Sequence, residues 1–93
     1  MEMILTLHPS NKKGIYMQAE RYHTVRTFIL EVLRQRGEIR FTELCQEGQT
    51  ILEDQFPGKI KSYLVTLRLD LEARGVIRCT PIRDDYHIRL TGL

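Results

Sequence analysis

The sequence predicts a single small α+β domain: three helices, a short first strand and a C-terminal β-hairpin, with an arm in front of them. Three observations carry this. Ninety-three residues hold one compact core and leave little room for a second layer. Three segments repeat apolar residues at three- and four-residue steps, the helical period. Near the C-terminus two alternating apolar–polar runs flank a polar turn, which is how a hairpin reads.

Residues 1–17 read as the arm and residues 18–93 as the domain. Met3-Ile4-Leu5-Thr6-Leu7 can pair as a strand, and His8 to Gly14 is a turn-rich basic connection before Ile15, Tyr16 and Met17. The first helix is expected from about Gln18 to Arg36, with Tyr22, Val25, Phe28, Ile29, Val32 and Leu33 on one face. Arg34 and Arg36 then suit the negative end of its dipole, and Gly37 suits a left-handed cap. Glu38-Ile39-Arg40-Phe41 alternates as an edge strand. Thr42 is expected to cap a second helix, with Glu43 in its first turn. Leu44, Cys45, Gly48, Ile51 and Leu52 mark its inner face, where Gly48 is a mild conflict that close helix packing would explain. Phe56-Pro57-Gly58 breaks the chain. The third helix runs from about Lys59 to Arg74 on a stripe of Ile60, Leu64, Leu67 and Leu71, and Gly75 stops it. Val76 to Thr80 reads as a strand ended by Pro81, Arg83-Asp84-Asp85 as a turn, and Tyr86 to Leu90 as the returning strand. The expected core is Ile29, Leu33, Ile39, Leu44, Leu64, Leu67, Leu71, Ile77 and Ile88.

Composition sorts the functional classes. Fourteen basic and twelve acidic residues leave a net charge of +2, too little to name a polyanionic partner without asking where the charges lie. No apolar run approaches the ~20 residues that cross a bilayer, and no signal peptide is readable. Cys45 and Cys79 therefore read as free structural thiols of a cytoplasmic protein.

Leu67 to Ile77, Leu-Arg-Leu-Asp-Leu-Glu-Ala-Arg-Gly-Val-Ile, resembles the passage by which winged helix-turn-helix regulators leave their recognition helix. The order helix, short strand, helix, turn, helix, hairpin is similar to that fold, as is Glu38 to Leu44. More narrowly, the chain resembles a group of small bacterial proteins with no assigned function. That likeness lies in Leu7-His8-Pro9, Lys12-Lys13-Gly14, Tyr22, Val25-Arg26, Phe41 to Leu44 and Asp70 to Gly75, and spans nearly the whole chain. The resemblance implies a winged helix with the third helix as recognition element, duplex DNA as partner and transcriptional regulation as the role.

On that reading the third helix enters the major groove with its N-terminal half. Lys59, Lys61, Ser62, Tyr63 and Thr66 are the expected contacts, and Arg83 at the wing tip reaches a phosphate or the minor groove. The sequence also argues against it. Glu43, Glu47, Glu53 and Asp54 make the second helix acidic, and Asp84 and Asp85 flank Arg83. Val65, Leu69 and Ala73 form a second, weaker apolar stripe on the third helix. The arm or first helix covers that stripe, or a second copy of the chain does in a homodimer. The alternative function is thus a winged-helix interaction or dimerisation module that binds no DNA.

The remaining residues favour structure over chemistry. Lys12-Lys13-Gly14 lacks a P-loop's glycine pattern and reads as a solvated turn. His8, His23 and His87 sit on three separate elements, and neither cysteine has a Cys-x-x-Cys partner, so no metal site is expected. No nucleophile–base set or carboxylate pair sits in an evident pocket. The expectation is a protein that is not an enzyme and holds no cofactor, with no small-molecule ligand identifiable.

Overall fold

A computed structural model describes residues 1–92, with elements in the order β1 (Met3–Leu5), β2 (Tyr16–Gln18), α1 (Ala19–Arg36), β3 (Glu38–Arg40), α2 (Phe41–Leu52), α3 (Ile60–Ala73), β4 (Ile77–Ile82) and β5 (Asp85–Leu90). The result is an α+β domain with three helices and two small antiparallel sheets. One sheet is the hairpin β1–β2; the other has strand order β3-β5-β4. The layout is compatible with a winged helix.

All nine expected core residues are buried. They join Tyr22, Val25, Phe28, Phe56 and Ile60 in one cluster between the helices and the inner face of the larger sheet. Each fully buried leucine or isoleucine contributes about 1.5–3 kcal/mol, so this cluster is the main source of stability. Register keeps the sheet's inward residues together: Ile39 faces Ile88, and Ile88 faces Cys79. Gly48 sits where α2 crosses α3. A Cβ there would lie 2.7 Å from Leu64 Cδ1, so any larger residue would have to displace the buried Leu64 side chain.

Two boundaries differ from the sequence reading, each for a physical reason. The second helix begins at Phe41, so Thr42 lies inside its first turn and cannot be the cap. The Thr42 N–H is instead met by Asp85 Oδ1 at 3.2 Å, from the wing. β4 runs through Pro81 to Ile82, because an edge strand tolerates a residue without an N–H. Within residues 1–17 the expected strand pairs, forming β1 against β2. Thr6 is buried and zips the hairpin, its N–H donating to the Ile15 carbonyl at 2.9 Å and the Ile15 N–H donating to Thr6 Oγ1 at 3.0 Å. Met17 enters the core.

Candidate nucleic-acid interface

The surface expected to read DNA starts where the α2–α3 connection ends. Glu53 Oε1 accepts from the Gly58 N–H, Gly58 takes a left-handed φ of 71°, and Phe56 plugs the core. Together these set the direction in which α3 leaves. Lys59 stands just before its first turn. That turn holds no acid, and no side chain caps it. Lys59 and Lys61 therefore add positive charge to the positive end of the helix dipole, the reverse of what a free helix favours.

The six expected contact residues separate around α3. Lys59, Lys61 and Ser62 are exposed, with Ser62 on the outward face. Tyr63 turns to one flank: its ring packs edge-on against Phe56, centroids 5.3 Å apart, and its hydroxyl accepts from Arg21 Nη1 at 2.8 Å. Arg21, Lys59 and Tyr63 line one shallow recess with Gln55, Phe56 and Pro57. Lys61 turns to the other flank and lines a cavity of about 350 Å³ with Phe41, Thr42, Asp84, Asp85 and Tyr86. Arg83 is exposed in the two-residue wing turn beside it, where Asp84 takes a left-handed φ of 50°. Thr66 is half-buried and faces the arm, so it is not free for a groove.

The second stripe is half-buried too. Leu69 shares a crevice with Thr6, Leu7, His8, Gly14 and Ile15, and Ala73 borders the arm's loop. The bond that holds the arm there was not anticipated from sequence. Asp70 is fully buried on α3. Its carboxylate accepts from the Leu7 N–H at 2.8 Å, the Tyr22 hydroxyl at 2.6 Å and Arg74 Nε at 3.0 Å. Arg74 Nη2 also donates to the Leu5 carbonyl at 3.4 Å. Side chains of α3 thus occupy backbone groups of the β1 segment that a further strand would otherwise use. Burial, then the hydrogen bond to Asp70 and its charge, push the Tyr22 hydroxyl up to about 12. The readable signal was an acid beside the Leu67/Leu71 stripe with an arginine four residues on.

Most acids that speak against a phosphate partner are engaged. Arg36 bonds Glu43 at 3.2 Å and Glu47 at 2.5 Å. Burial works against the Asp85 charge, but hydrogen bonds from Tyr86 and Thr42 outweigh it and hold the carboxyl below the usual range. Asp54 and Asp84 remain exposed. Arg68, in the middle of α3, is half-buried. Its guanidinium lies 4.3 Å from the Tyr86 ring centroid and 5.0 Å from that of Phe41, tying α3 to the wing.

The same surroundings limit other chemistry. Burial raises both thiols, Cys45 and Cys79, so neither is a ready nucleophile. Among the described residues no three His, Cys, Asp or Glu side chains gather to hold a metal, and no helix is long and apolar enough to cross a membrane.

A three-helix α+β domain with a lysine-flanked helix start and a latched N-terminal hairpin is therefore the class of protein to which these residues amount. Over residues 3–86 the chain matches a family of unknown function, DUF6958, and it belongs to that family. No curated protein and no solved structure matches it.

Proposed function

We propose that the chain is a winged-helix DNA-binding protein of the cytoplasm, a transcriptional regulator that reads duplex DNA with the N-terminal half of α3. The observation that carries this is the start of that helix: Lys59 and Lys61 exposed, no acid in the first turn, no side-chain cap. Such a helix end is electrostatically unsatisfied in the free protein, and a phosphate satisfies it.

Three further features support the reading. The order α1–β3–α2–α3–β4–β5 with sheet order β3-β5-β4 suits a recognition helix followed by a wing. Arg21, held on the Tyr63 hydroxyl, adds a third cation beside Lys59. Arg36 draws Glu43 and Glu47 together on itself. Ser62 is the outward polar group for a base edge or a phosphate, and Arg83 the contact from the wing. The protein-only alternative through Val65, Leu69 and Ala73 has less to stand on, because the arm already lies over Leu69 and Ala73.

The test is a fluorescence-anisotropy titration of a labelled duplex of about 20 base pairs, long enough for two half-sites. Replacing Lys59→Glu and Lys61→Glu together is expected to weaken binding by roughly tenfold or more, since two attractive phosphate contacts become repulsive. Equal binding by wild type and variant contradicts the reading.

A further inference from the structure

Among the described residues, six of the seven large apolar side chains classed as exposed fall within the first sixteen positions: Met1, Met3, Leu5, Leu7, Ile15 and Tyr16. Three of them make one face: Leu5 pairs directly with Tyr16 across the β1–β2 hairpin, and Met3 stands two residues before Leu5 at the period of a strand, while Leu7 and Ile15 border the crevice against α3. The opposite face, with Ile4 and Met17, packs into the domain. The hairpin thus covers α3 with one side and offers water an apolar second side, with Tyr16 66% exposed.

The total surface is slightly larger than that of a compact monomer. The chain exposes 6140 Å². A compact monomer of 11.0 kDa is expected to expose about 5,600 Å².

We infer that the outer face of the β1–β2 hairpin is a homodimer interface, packed face to face against the same hairpin of a second copy. Charge selects the second copy as occupant. Met3 to Leu7 carries no charge, so the face meets itself without repulsion. Its two ends are oppositely charged. At the open end the Ala19 N–H bonds the Glu2 carbonyl, which puts Glu2 beside Glu20 in the first turn of α1. At the closed end stand Lys12 and Lys13. All four are exposed, and none is in an ion pair among the described residues. A two-fold axis in the interface, perpendicular to the strands, lays the acidic end of each hairpin over the basic end of the other. An axis along the strands would oppose like charges. Pairing is through the face and not the β1 edge, because Asp70 and Arg74 already hold the Leu7 N–H and the Leu5 carbonyl.

Sedimentation equilibrium of the full chain tests this, with circular dichroism to check that each variant folds. Wild type is expected at twice the 11.0-kDa chain mass at high concentration. Tyr16→Glu is expected to remain monomeric there, and its exposed position keeps folding intact. Lys12→Glu with Lys13→Glu is expected to weaken the dimer about tenfold, and adding Glu2→Lys and Glu20→Lys to restore it. A wild type that stays monomeric, or a Tyr16→Glu chain that dimerises as wild type does, overturns the proposal. A fourfold reversal no tighter than the Lys12/Lys13 pair alone overturns the two-fold arrangement.

Discussion

Asp70 is the residue on which most else hangs. It is a buried carboxylate whose partners come from the arm, α1 and its own helix, so its loss frees three polar groups at once. Asp70→Ala is expected to cost about 2–4 kcal/mol in denaturant unfolding, because the Leu7 N–H and the Tyr22 hydroxyl lose their acceptor while the exposed Arg74 returns to water. Tyr22 reports on the same contact. Its hydroxyl is raised from 10.0 to about 12, which means that the folded state holds the proton more tightly than the unfolded chain. The stability it contributes is therefore fully present below pH 10 and lost as pH rises toward 12. A spectroscopic titration should find its phenolate forming late, and Tyr22→Phe should flatten the fall in stability over that window. A Tyr22 that ionises near pH 10 would contradict the contact.

At the scale of elements, glycines mark where two backbones meet. A Cβ on Gly14 would lie 1.7 Å from the Thr6 carbonyl oxygen, so Gly14→Ala forces the hairpin apart. The expected cost is about 1–3 kcal/mol, typical of over-packing, with faster hydrogen exchange at the Thr6 and Ile15 amides. Unchanged exchange there would mean that the arm is not zipped as described. The helices, the wing hairpin and the whole expected core were legible because periodicity is a local property: Ile60, Leu64, Leu67 and Leu71 need no knowledge of the rest of the chain. The Gly37 stop of α1, with Arg34 and Arg36 in its last turn, was legible too, whereas the start of α2 and the latches were not. Thr42 has a cap's chemistry, yet its N–H is served by Asp85, forty-three residues away. Arg68, Arg36 and Asp70 all look like surface charges, and their roles depend on partners that only the fold brings near.

For the molecule as a whole, the same long-range contacts bear on function. The acidity of α2 and of the wing turn speaks against DNA when residues are counted along the chain. In three dimensions Arg36 takes up Glu43 and Glu47, and Asp85 caps α2. The lysines at the start of α3 have no such partner among the described residues. Dimerisation through the hairpin, if combined with this helix, would present two reading heads and favour paired half-sites. The two proposals still fail separately: a monomer can bind DNA, and a dimer can ignore it.

The most direct test of the DNA reading is the salt dependence of wild-type binding to a duplex, followed from low salt upward. Contacts from Lys59, Lys61, Arg21 and Arg83 predict that log affinity falls linearly with log salt, with a slope of about −3 to −4 at roughly −0.9 per phosphate neutralised. No measurable binding at low salt, or binding that salt leaves unchanged, would contradict it.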